Sequence, residues 1–165
     1  LLGLQALSQG EAVKRVDVFA AFLKRGGRLE DLLDAEFAYA PPFAPALDPL
    51  YSLAAAARNE LLEGIRSLPP DSKLEGRFLI DIRRAKEAAE RPLPEKTTNL
   101  PFEDFQATCS QVPKDGEVVC ICSKGARSSE AARILKAKGC DVAYIAGGSL
   151  LRLGQQAPSA DKKNQ

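Results

Sequence analysis

The chain is predicted to be α/β: a parallel sheet with helices on both faces, preceded by a partial, mainly helical N-terminal region. Three observations carry this. From residue 77 onward, short apolar runs alternate with helix-forming stretches, the pattern of successive β–α units. The runs Phe78-Leu79-Ile80, Val118-Val119-Cys120-Ile121 and Val142-Ala143-Tyr144-Ile145 are continuously apolar, as strands buried on both faces require. Residues 12–25 and 49–63, by contrast, show helical spacing. With 45% hydrophobic and 27% charged residues, the 165-residue chain has the composition of a folded protein. Its formal charge of +1 and lack of a basic block give no nucleic-acid footprint. No apolar run approaches the ~20 residues needed to cross a bilayer, so no membrane role is expected.

Taken in order, residues 12–25 read as an amphipathic helix with Val16, Phe19, Ala20 and Leu23 on one face, ended by Gly26-Gly27. A helical turn at residues 29–33 follows. The proline-rich stretch at residues 36–49 is excluded from helix and must be extended or turning. Asp48 and Pro49 then form a capping signal for a helix reaching about Glu63, with Leu50, Leu53, Ala54, Ala57 and Leu61 facing inward. Residues 65–76, centred on Leu68-Pro69-Pro70-Asp71, read as a linker. A second domain spans residues 77–154: a strand at 77–83, a short helix at 85–90, a helix at 102–109, a central strand at 117–121, a helix at 127–138 and a strand at 141–145. The polar residues 155–165 read as a disordered tail.

Chemistry concentrates at Cys122-Ser123-Lys124-Gly125-Ala126-Arg127-Ser128. Cys122 ends a strand, Gly125 permits a tight turn, and a helix begins just behind. Amides of such a loop can converge into an anion-binding nest, and the helix start adds unpaired N–H groups. A thiol held there should ionise below the usual ~8.5, making Cys122 the candidate nucleophile. Arg127 either faces the ring as an anion receptor or pairs with a carboxylate such as Asp81 or Glu87 and anchors the loop. Ser123 and Lys124 fall on the rim, and Ser128 either caps the helix or bonds to the sulfur. The remaining cysteines, Cys109, Cys120 and Cys140, read as small core residues. Cys120 shares strand parity with Cys122, so a redox pair is the other reading. Their spacing fits no zinc pattern and the chain has no histidine, so no metal is expected. So few cysteines suit a reducing, cytoplasmic setting.

The Cys-x-x-Gly-x-Arg-Ser segment resembles the active-site loop of rhodanese-like sulfurtransferases. Asp81-Ile82-Arg83, Asn99-Leu100-Pro101 and Gly147-Gly148 resemble further marks of that family. Related phosphatases and arsenate reductases carry one more residue between Cys and Arg, widening the ring for a tetrahedral oxyanion. The short ring here implies a single sulfur carried on Cys122 as a persulfide, taken from a sulfane sulfur donor and given to a thiol acceptor. Residues 1–64 carry a second resemblance: Lys14-Arg15-Val16-Asp17, then Ala38-Tyr39-Ala40-Pro41-Pro42, resembles the end of the dimerisation domain of flavin-dependent pyridine nucleotide-disulfide oxidoreductases, of the coenzyme A-disulfide reductase and NADH-dependent persulfide reductase type. The resemblance implies FAD, NAD(P)H and coenzyme A for a parent enzyme, none of them bound by this segment, and a homodimer in which Tyr39 reaches the partner's redox site. The start at Leu1-Leu2-Gly3 without any Met suggests a fragment whose FAD- and NAD-binding domains are missing. Without the strands that precede this point in that family's dimerisation domain, the helix around Phe19 and Phe22 should expose apolar surface and favour self-association. Against the sulfur-carrier reading stand a non-catalytic dimerisation fragment and an oxyanion enzyme.

Overall fold

The computed structural model describes residues 1–8, 12–41 and 43–156. The chain forms two compact units that divide between Glu63 and Gly64.

The first unit holds three helices: α1 (Val13–Lys24), α2 (Leu29–Leu33) and α3 (Pro49–Glu63). They enclose a small core of Phe19, Leu32, Leu50 and Ala54, with Phe22, Leu29, Leu33 and Phe37 packed against it. The inward face of α1 differs from the expected stripe. Phe19 and Phe22 turn in, while Val16 and Leu23 remain 37% exposed. The two large rings bury more area than the smaller side chains would, so they set the rotation of the helix. Phe19 itself is 5% exposed, but α1 still presents apolar surface at Val13, Val16, Val18 and Leu23, and α3 does so at Leu61 and Leu62. Likewise Leu50 and Ala54 turn inward on α3, while Leu53 and Leu61 do not. Asp48 starts α3 as expected, accepting the Leu50 N–H at 2.9 Å, and its carboxylate also takes the Arg15 Nε–H at 3.1 Å. The proline-rich stretch makes a tight turn in which Ala40 bridges Ala44.

The second unit is a five-stranded parallel sheet. Its elements are β1 (Arg66–Leu68), β2 (Phe78–Asp81), α4 (Ala85–Glu90), β3 (Thr98–Asn99), α5 (Phe105–Thr108) between two 3₁₀ turns, β4 (Glu117–Ile121), α6 (Ala126–Ala137), β5 (Asp141–Ile145) and α7 (Gly148–Gln156). The strand order is β1-β5-β4-β2-β3. Residues 65–76 are thus not a linker. Ile65 is fully buried, and β1 pairs in parallel with β5, Arg66 opposite Ala143 through Leu68 opposite Ile145. Arg-Ser-Leu is too short and too polar to announce a strand; its pairing with a segment 77 residues away creates one. The start of the expected tail is also corrected, since α7 runs through Gln156. Residues 157–165 lie outside the described residues.

Side-chain alternation splits the sheet into two faces. Ile80, Ile82, Val118, Cys120, Cys122, Val142 and Tyr144 share one core with Phe105 and with Ala131, Ala132 and Leu135 of α6. The alanines let α6 lie close to the strands. Leu79, Val119, Ile121, Ala143 and Ile145 face the other way, under Leu74, Leu68 and Leu93, and α7 packs against β5. Burying each Val, Ile or Leu of these clusters contributes about 1.5–3 kcal/mol.

From β2 the chain moves outward to β3, whereas from β4 it moves the opposite way to β5. The carboxyl ends of β2 and β4 therefore flank a switch point, where open parallel sheets leave a crevice. Cys122 follows β4 directly, and α4 follows β2.

Candidate active site

Two sets of contacts build the loop after β4. The first turns its backbone. The carbonyl of Cys122 accepts the Ser149 N–H at 2.7 Å, and the carbonyl of Ser123 accepts the Leu150 N–H at 3.1 Å. These donors belong to the first turn of α7, whose N–H groups have no partner within their own helix. With the two carbonyls drawn outward, the following amides face the sulfur: Gly125 N–H donates to Cys122 Sγ at 3.1 Å. Gly125, at φ +103°, makes the turn as expected. Gly148 is needed for a different reason. A Cβ there would strike the Cys122 carbonyl oxygen and lie 2.6 Å from the Ser123 carbonyl carbon and 2.7 Å from the Lys124 nitrogen. Glycine is what lets α7 reach the loop.

Cys122 itself is buried, 1% exposed. Burial pushes the thiol up, but it is outweighed by hydrogen bonds from the Ser128 hydroxyl and from the amides of Ser128, Lys124 and Gly125, leaving it below the ordinary thiol value. The Ser128 hydroxyl, fully buried, lies 3.4 Å from Sγ and 2.9 Å from the Gly125 carbonyl oxygen. It has one proton to donate, so it can shift from the carbonyl to the sulfur as negative charge builds there. Ser128 thus bonds to the sulfur, and the N-cap position of α6 belongs to Gly125.

Cys120 lies two residues earlier on the same face and behaves in the opposite way. It is fully buried, and burial, with Cys122 and Cys140 nearby, pushes its thiol far up. Cys109 and Cys140 are also buried, and all four cysteines carry free thiols. A thiol held neutral in an apolar core is a packing residue.

The second set of contacts closes the rim. Arg127 donates to Glu87 of α4 through both arms, Nη1 to Oε2 at 2.7 Å and Nη2 to Oε1 at 2.8 Å. The Ser123 hydroxyl donates to Glu87 Oε1 at 2.9 Å and accepts from Arg127 Nη2 at 3.0 Å. Of the two carboxylates considered for Arg127, Glu87 is the partner; Asp81 is held by Arg83. The Arg127 bonds hold the Glu87 carboxyl down at about 2, against partial desolvation, with help from the Arg84 amide and the Ser123 hydroxyl. Arg127 is correspondingly raised.

Beneath this, Arg83 and Asp81 form a buried ion pair, each 2% exposed, with Arg83 Nη2 2.6 Å from Asp81 Oδ2. Arg83 also donates to the Arg91 carbonyl at 2.8 Å, and Asn99 donates to the carbonyls of Asp81 and Arg83 at 2.9 and 2.8 Å. Together these groups place α4, and hence Glu87, beside the loop. Lys124 and Ala126 are exposed on the rim. Tyr39 belongs to the first unit, in the proline-rich turn, and is 63% exposed. No cluster of three or more metal-ligating side chains occurs among the described residues, and no described helix is long and apolar enough to cross a membrane.

Two contributors were not legible beforehand: the Gly148–Leu150 turn as the support of the loop, and Ser123 as part of an anchoring triangle. The Gly-Gly pair was the available signal for the first.

The family model described as a Rhodanese-like domain matches residues 59–150. The chain is 31% identical to the reduced CoADR-RHD of Bacillus anthracis, with a TM-score of 0.73 over 84% of this chain and 26% of that one. It is 33% identical to an NAD-dependent persulfide reductase from A. fulgidus, with a TM-score of 0.72 over 87% of this chain and 26% of that one. Among curated sequences, a CoA-dependent NAD(P)H sulfur oxidoreductase of Pyrococcus furiosus is 46% identical over 54 residues, which is 33% of this chain and 12% of that protein. The chain thus spans only a fraction of each relative's length.

Proposed function

Because this chain belongs to the rhodanese-like domain family, we propose that it is a sulfurtransferase module that carries sulfur as a persulfide on Cys122. The observation that carries this reading is the inward ring of donors on one thiol: the Gly125 amide at 3.1 Å and the Ser128 hydroxyl at 3.4 Å. The Cys122 thiolate attacks the sulfane sulfur of a donor. One S–S bond forms at Sγ, the donor's S–S bond breaks, and the bonding pair leaves with sulfite from thiosulfate or with a thiolate from an organic persulfide. The terminal sulfur, now anionic, is stabilised by the loop amides as the thiolate was. A thiolate or cyanide then takes it as a new persulfide or thiocyanate, and the Cys122 thiolate returns.

The parent activity we propose is that of an FAD-dependent NAD(P)H reductase of coenzyme A-disulfide, persulfide or polysulfide, acting in the cytoplasm as a homodimer. The flavin, nicotinamide and coenzyme A are assigned to other domains of that enzyme. Tyr39, exposed on its turn, is assigned a contact across that dimer.

Mass measurement of the chain after exposure to a persulfide donor tests the reading. Gain of one sulfur atom, absent in Cys122→Ser, is the expected result. No gain in the native chain, or equal gain in the variant, overturns it.

A further inference from the structure

We infer that Glu87 is a specificity-determining residue of this loop: by occupying the Arg127 fork it withholds the guanidinium from the mouth, and so selects sulfur carried on a thiol over sulfur carried on an oxyanion such as thiosulfate. The inference rests on the sulfur-carrier reading and adds a substrate class to it.

A ring of amides beside a free guanidinium is an oxyanion receptor, because the planar fork matches two oxygens of a sulfonate, sulfate or phosphate. Here the fork is already filled. Both Nη atoms bond to Glu87, and Nη2 also reaches the Ser123 hydroxyl, which itself donates to Glu87. The carboxylate is held from behind as well, since the Arg84 N–H donates to Oε2 at 3.1 Å. Next to this pair, the Arg84 side chain is matched by Glu103 at 2.6 Å. The charges on the α4 side of the mouth therefore cancel in pairs. Of the cations named around the loop, exposed Lys124 is the one with no carboxylate partner among the described residues, and a single exposed ammonium is a weak receptor. The arrangement keeps the amides for the sulfur and gives an oxyanion little to bind.

Glu87→Gln in the 165-residue chain tests this. The amide keeps the shape but not the charge, so Arg127 is released. We expect KM for thiosulfate to fall roughly tenfold, the worth of a charge-assisted hydrogen bond. Inorganic sulfate should now slow alkylation of Cys122 by iodoacetamide, and should not do so in the native chain. Both gains should vanish when Arg127→Met is added. An unchanged or raised KM with no protection by sulfate would overturn the proposal and leave Glu87 as a brace only. Should Glu87→Gln fail to fold, Arg127→Met alone decides: with Glu87 left uncompensated beside the mouth, KM for thiosulfate should rise, and a fall would refute the assignment. Protection by sulfate needs no sulfur transfer. A native chain that gains no sulfur would therefore count against the carrier reading while leaving the Glu87 result to stand or fall separately.

Discussion

The loop at residues 122–128 and the turn around Tyr39 both carry recognisable signatures, yet they are finished to different degrees. In the loop, the carbonyls of residues 122 and 123 meet α7, the amides behind them meet the sulfur, and the rim side chains meet Glu87. The Tyr39 turn is held by the bonds around Ala40 and leaves Tyr39 63% and Phe43 88% exposed. The loop finds these partners within its own unit, whereas the turn in the other unit leaves its large side chains at solvent.

The largest expected effect tests the first half of this contrast. Cys122→Ser should remove sulfur uptake altogether, as read by mass and by thiocyanate formation from cyanide. Gly148→Ala comes next. The added methyl forces α7 off the loop, the carbonyls lose their donors, and the amides lose their aim. Sulfur transfer should fall by more than tenfold, and the Cys122 thiol pKa, read from alkylation against pH, should rise. A variant with native rates would show that α7 does not hold the loop.

Cys120→Ser separates packing from chemistry two residues away. A hydroxyl in that apolar core costs about 1–3 kcal/mol, seen as a lower urea midpoint, while the folded variant should still take up one sulfur on Cys122. Loss of uptake in folded protein would restore a redox partnership between the two thiols.

Acid should release the rim before it unfolds the sheet. Glu87 has its carboxyl depressed from 4.5 to about 2 in the folded chain. Its contribution is therefore complete above 4.5 and is lost as pH falls through that window towards 2. The pair is about one-third exposed, so the contribution is about 1 kcal/mol or less. The urea midpoints of the native chain and Glu87→Gln should differ slightly at neutral pH and converge across the window. The smallest effect is expected at Tyr39→Phe, within about 0.5 kcal/mol in stability and with no change in sulfur uptake by this chain. A marked loss of uptake would mean the turn is part of the site after all.

How much was legible follows the range of the interactions. The β4 strand, the Gly125 turn and the α6 start lie within about a dozen residues, and their apolar run, glycine and helical spacing are local signals. Cys122 and its loop could be read from these alone. β1 could not, because it exists through β5, and the inner face of α1 could not, because it depends on which side chains three helices can jointly bury.

What the amino-acid order determined by itself, then, was a strand–loop–helix unit with a cysteine at the hinge, since backbone preferences and side-chain period act over a few residues. What the tertiary structure decided was what surrounds that cysteine. Glu87 reaches Arg127 across 40 residues, and the first turn of α7 reaches back across 27 to the Cys122 carbonyl. Those partners become neighbours only where β2 and β4 lie side by side and the first turn of α7 meets the loop that follows β4. The loop's electrostatics are set there, by hydrogen bonds that no local stretch contains.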